Sequence, residues 1–218
     1  MYSQGVEIRF LDKLLEGGEE RIMRQNMGII ETAMEANKEL QKLVEGKIKS
    51  IDRMRDLEME SDRKVFRLSS AISSGAISPN VIDDLLVLTH KEDNIVDSMY
   101  NLAREELRYG IPDKKTAAML KQNVLTMLVM VGSALQVMKE MLSSDDVAKI
   151  RAFRKEIEVL EQDGDDIKDA LLDYEYKTSM DYKTFLHIEE VAHKADDILD
   201  SCEDSADMFL SIMLSIMT

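Results

Sequence analysis

Four pairs of carboxylates stand four residues apart in this chain: Glu58 and Asp62, Asp93 and Asp97, Glu161 and Asp165, Asp196 and Asp200. On a helix that spacing puts both members on one face with about 5 to 6 Å between Cβ atoms, so each pair could bridge or chelate a cation. Two pairs on neighbouring helices would offer four hard oxygen donors, suited to Fe(III), Mn, Mg or Ca. A nitrogen from His90 or His193 would draw the site towards iron, zinc or nickel. Without a cation the same spacing destabilises a helix by repulsion.

A single pair means little. With 43 acidic residues among 218, roughly eight such pairs are expected by chance, and most are solvated faces. Asp169 with Asp173 and Glu203 with Asp207 are of that kind. What separates the four pairs is recurrence. The run His90-Lys91-Glu92-Asp93-Asn94-Ile95-Val96-Asp97-Ser98 returns as His193-Lys194-Ala195-Asp196-Asp197-Ile198-Leu199-Asp200-Ser201, identical at six of nine positions and displaced by 103 residues. Leu57, Glu58 and Asp62 return at the same displacement as Leu160, Glu161 and Asp165. A period near a hundred residues is too long for a solenoid and suits a small domain copied once.

The elements that must position these residues are helices. Nine glycines and two prolines leave few turns, and long stretches are rich in Ala, Leu, Met, Glu, Lys and Gln. A short amphipathic piece over 1–16 ends at Gly17-Gly18. Helical periods then run from Glu19 to about Val44, Ile48 to about Ser73, Pro79 to about Tyr109, Lys114 to about Leu142, Val147 to about Tyr176, and Tyr182 to the C-terminus. Glu45-Gly46, the turn from Gly75 to Ser78, Gly110-Ile111-Pro112 and Ser143-Ser144-Asp145 separate them, with Asp113 and Asp145 as caps. The stretch Leu125 to Val131 is apolar nearly all round, as in a helix covered on several sides. The expectation is an all-α fold of three helices per half, over 1–112 and 113–218, packed either as two three-helix bundles in tandem or as one elongated six-helix array. At about 100° per residue, Glu58 and Asp62 edge the apolar stripe of the second helix. Asp93 and Asp97 project away from the stripe of Val81, Leu88, Ile95, Met99 and Leu102, and Asp196 and Asp200 do the same in the second copy.

The ordered series Glu58-x-x-x-Asp62, Gly75-Ala76-Ile77-Ser78-Pro79, Asp93-x-x-x-Asp97, then Glu161-x-x-x-Asp165 and Asp196-x-x-x-Asp200, resembles the phosphate-uptake regulator family PhoU, and especially its shorter relatives grouped as phosphate transport regulators. The resemblance covers nearly the whole chain. It implies two tandem three-helix bundles from an internal duplication, and metal ions, iron first with zinc or nickel as alternatives, held by Glu58, Asp62, Asp93, Asp97, Glu161, Asp165, Asp196 and Asp200. It also implies a partner, a phosphate transporter component or its signalling partner. The second copy departs from the pattern: Thr178-Ser179-Met180-Asp181-Tyr182 replaces the Gly-x-x-Ser-Pro turn, and Gly164 interrupts its first acidic motif.

Charge and motifs narrow the function. A net charge of −15 repels nucleic acid and anionic lipid and favours cations or a basic partner. The single Cys202 excludes an internal disulfide, which suits a reducing compartment. No signal peptide is expected. The apolar runs read as too short for a membrane span. A cytoplasmic protein, peripheral to a membrane at most and open to homo-oligomerisation, is the expectation. No phosphate loop, nucleophile elbow or zinc spacing is present. Glu190-x-x-His193 matches half of a di-iron motif, but the first copy has Val87 where the second needs its glutamate. The expected role is protein contact and not catalysis. A carboxylate-bridged metalloenzyme and a metal-free helical interaction protein are the competing readings.

Overall fold

The computed structural model describes residues 19–74 and 79–217. The expected N-terminal piece, the Gly17-Gly18 break and the turn from Gly75 to Ser78 lie outside them. The described residues form six α-helices and no strand: α1 Glu19–Val44, α2 Asp52–Ser74, α3 Pro79–Glu106, α4 Lys114–Leu142, α5 Val147–Lys177 and α6 Tyr182–Met217.

Local chemistry sets the helix ends. After α1, Gly46 takes a left-handed φ of 81°, which glycine adopts without a Cβ clash. Its N–H donates to Leu43 O and that of Lys47 to Lys42 O, both at 2.8 Å, the paired bonds of a Schellman stop. Asp113 caps α4 by accepting from Thr116 N. The cap of α5 is Asp146, which accepts from Ala148 N and Lys149 N. This corrects the expectation of Asp145 by one residue. Asp181 accepts from the N–H groups of Lys183 and Thr184 at the start of α6, so a carboxylate caps that helix where the sequence has neither Gly nor Pro.

The helices pack in two roles. Helices α1, α3, α4 and α6 close a ring of contacts, α1 on α3, α3 on α6, α6 on α4 and α4 on α1. Helix α2 packs on α1 and α3, and α5 packs on α4 and α6. The buried apolar residues of all six helices form one continuous cluster. In α4, Val124, Met127, Leu128, Val131, Ala134 and Leu135 are all fully covered, because the helix touches α1, α5 and α6. Across its contact with α1, Asn37 Nδ2 and Gln41 Nε2 both donate to Leu128 O, at 3.0 and 3.1 Å. By length and composition α4 could cross a membrane, contrary to the reading of its apolar run as too short. A helix buried on several sides in a protein core has the same composition.

Gly164 has a packing reason. A Cβ there would lie 2.4 Å from Leu199 Cδ1, so its absence lets α5 settle onto α6. Gly164→Ala would gain roughly 1 kcal/mol in helix propensity but overpack a buried contact at a cost of about 1–3 kcal/mol. The expected result in urea denaturation is a net destabilisation, relieved when Leu199→Val is added; strictly additive effects of the two substitutions would contradict the contact.

Candidate metal-binding carboxylates

The first quartet lies along the seam where α2 packs on α3. Leu57 and Ser61 of α2 are buried, which turns Glu58 half into the seam and leaves Asp62 at its outer edge. From α3, Asp93 is only 8% exposed and Asp97 is half-buried. The expectation that the α3 pair points away from the core is therefore half right. Asp93 does point away from α1, but α2 covers that side. The same holds in the second copy, where Asp196 is 3% exposed beneath α5 while Asp200 is exposed. Projection on a single helix cannot register a second helix lying over its far face.

The four carboxyls are near enough to perturb one another. Burial raises the Glu58 carboxyl, with Asp62 and Asp93 adding to the shift. Burial, then the neighbouring charges of Asp93, Glu58 and Asp62, push Asp97 up to about 6. Burial also raises Asp93, opposed by the hydroxyl of Ser61, which donates to Asp93 Oδ1 at 2.6 Å. No Lys or Arg forms an ion pair with Glu58, Asp62, Asp93 or Asp97 among the described residues.

The second quartet repeats the grouping on α5 and α6. Burial pushes Glu161 up to about 7, helped by Glu203, Asp165, Asp200 and Asp196. Burial and Asp196 push Asp200 up to about 6. Here, however, a cation is built in. Lys168 Nζ donates to Asp165 Oδ1 and to Asp196 Oδ2, the latter at 2.5 Å. Close by, Arg154 pairs with Glu158, Glu203 and Asp207.

The eight carboxylates thus lie in two quartets, one along α2 and α3 and one along α5 and α6. As the side chains stand, no three His, Cys, Asp or Glu among the described residues converge closely enough to hold an ion. The quartets are gatherings of like charge on adjoining helices and not formed coordination shells. The first has the donor chemistry for a hard cation, four oxygens with a neutral hydroxyl beneath them. The second, with an ammonium between two of its carboxylates, does not fit a metal in this arrangement.

Residues singled out beside the quartets sit elsewhere. His90 and His193 are exposed. Glu190 is exposed and pairs with Lys194, so the di-iron half-motif faces solvent and not a core cavity. His187 is buried with Nδ1 3.6 Å from Glu105 Oε1, too long for a hydrogen bond, and burial lowers its pKa. Cys202 is buried and its thiol is pushed up to about 12, which leaves it unreactive. Three residues that matter escaped the sequence reading: Ser61, Lys168 and the fully buried Glu92, whose two carboxylate oxygens lack hydrogen-bond partners and whose pKa burial raises far above the ordinary range. Laying the copies side by side shows the first two as differences, Ser61 against Gly164 and Val65 against Lys168.

No protein-family model matches the chain, and no curated protein matches it closely enough to lend it a family or a function.

These carboxyls have folded pKa values of about 6 for Asp97 and Asp200 and about 7 for Glu161, against roughly 4 when unfolded. Between those values the folded chain binds more protons than the unfolded one, so stability falls as pH rises. Below about pH 4 the sign reverses, because the caps Asp113 and Asp181 have lowered pKa values. Metal-free protein should therefore melt at a higher temperature at pH 5 than at pH 8, with the difference reduced in Asp97→Asn and Asp200→Asn. A melting temperature that climbs steadily from pH 5 to pH 8 would contradict the mutual repulsion described above.

Proposed function

We propose that the chain is a metal-binding regulatory or accessory protein resembling PhoU, acting by contact with a phosphate transporter component or its signalling partner. One observation carries this reading: two carboxylate quartets recur in register, each across a seam between an outer and an inner helix, in the order of the resemblance. The packing supports it. Helices α1 to α3 and α4 to α6 repeat one contact pattern, as two three-helix bundles over 1–112 and 113–218 would if they arose by duplication. Glu58, Asp62, Asp93 and Asp97 would hold the ion, iron first by the resemblance; the corresponding set, Glu161, Asp165, Asp196 and Asp200, has the Lys168 ammonium on two of its members. A bound ion with an open position would supply an electrophilic centre for an anion such as phosphate.

The cytoplasm suits a chain with a single buried thiol. Protein contact is favoured over catalysis because the exposed Asp62 and Asp200 and the half-buried Asp165 leave the quartets open to water. Carboxylate-bridged metalloenzymes on bundles build their sites in the core from side chains of facing helices. Burial of Asp93 and Asp196 is the one observation that favours the metalloenzyme, and the solvent-facing Glu190 and His193 weigh against it.

Protein purified without chelator and subjected to elemental analysis should carry iron, zinc or nickel, and Glu58→Ala and Asp97→Ala should each lose most of it. Metal-free protein whose iron and zinc uptake is unchanged in both variants ends the metal reading. Affinity capture from cells limited for phosphate should return a phosphate transporter component or its sensor kinase; capture without either counts against the regulatory partner.

A further inference from the structure

The quartets come from equivalent positions yet are neutralised differently, and three substitutions account for it. At the 103-residue displacement, Ser61, Val65 and Val96 of the first copy stand opposite Gly164, Lys168 and Leu199 of the second. In the first copy the smaller Val96 is matched with a serine at 61, whose hydroxyl serves Asp93. In the second, Leu199 fills the space where a Cβ at 164 would be, so no side chain can stand there to donate to Asp196. A buried carboxylate without a donor is costly. Lys168, one helical turn on, supplies the donor to Asp196 and spans to Asp165 as well. It also supplies a charge. Asp196 Oδ1 remains buried without a hydrogen-bond partner. The first copy has the buried, apolar Val65 at the position of Lys168.

We propose that Lys168 is an internal counter-ion occupying the place of a metal in the second quartet, which leaves Glu58, Asp62, Asp93 and Asp97 as the quartet open to a cation. An ammonium held by two carboxylates must be displaced before a metal can use them, and metal affinity falls by the free energy of that pair. The neighbouring Arg154 is tied to Glu158, Glu203 and Asp207; in the first copy Arg55 acts on Glu58 by its charge alone, without an ion pair. The open first quartet rests on the metal-binding reading above. The closing of the second by Lys168 does not.

The test is equilibrium dialysis of the full chain against ferric citrate, with elemental analysis and melting temperature as readouts. In the wild-type background Asp97→Asn should abolish most iron binding and Asp200→Asn should leave it unchanged. Lys168→Val, the residue type of the first copy, should roughly double the bound iron. Adding Asp200→Asn should remove the increment, and iron should raise the melting temperature of the lysine variant. Lys168→Met, unbranched and neutral, repeats the test should valine disturb α5, with circular dichroism reporting the fold. Equal losses of iron in Asp97→Asn and Asp200→Asn, or folded Lys168 variants that take up no more iron than wild type, overturn the proposal while the metal-binding reading stands. Wild-type protein without iron, beside a Lys168 variant that gains it through Asp200, overturns the metal-binding reading and keeps the role of Lys168. No iron in either overturns both.

Discussion

Two aspartates, Asp93 and Asp196, lie beneath an outer helix in a seam between helices, and much of the local architecture follows from that placement. A carboxyl under cover needs a donor, a counter-charge or a proton. The first copy meets the need with the Ser61 hydroxyl and the second with the Lys168 ammonium. Each solution constrains its neighbours. Serine at 61 goes with valine at 96, and leucine at 199 requires glycine at 164, so a difference of one methylene in the α3 and α6 pair propagates into the charge balance of an entire cluster.

The seam exists because the inner helices hold the outer ones in register. Helix α4, covered by α1, α5 and α6, carries the densest run of buried apolar side chains, and α6 joins the halves by packing on α3. At about 25 cal/mol per Å² of apolar surface buried, such a core can offset like charges gathered at its margins. Those charges are part of a surplus that reaches −15 over the chain. At the first quartet, where no ion pair among the described residues offsets them, they give a cation something to relieve: neutralising that quartet would remove repulsion that the folded state otherwise bears. Glu92, buried in the inner part of α3 without a partner, adds to that burden unless it carries a proton.

Polar contacts refine the arrangement at both ends of the scale. The amides of Asn37 and Gln41 share the Leu128 carbonyl across α1 and α4, and Gly132 makes room for Asn37 there, its missing Cβ position being 3.1 Å from Nδ2. At the surface, Lys139 with Glu31 and Lys91 with Asp204 join helices from different halves. Exposed pairs of this kind contribute little to stability and serve mainly to favour one register of approach.

The sequence by itself determined the helices, most of their ends, and the repeat. Period, capping residues and glycine placement are local, so Lys114–Leu142 and the start of α6 at Tyr182 are legible without any fold, and recurrence at 103 residues singles out the eight carboxylates from a background of chance pairs. The tertiary structure decided what covers them. Whether Asp93 faces water depends on where α2 lies, which no projection of α3 contains, and the meaning of Gly164 depends on Leu199, thirty-five residues away. Nothing in the sequence sets Lys168 apart from the other charges of its helix. Only the packing of α5 on α6 puts its ammonium between Asp165 and Asp196, because the partner that gives a side chain its role there sits on another helix.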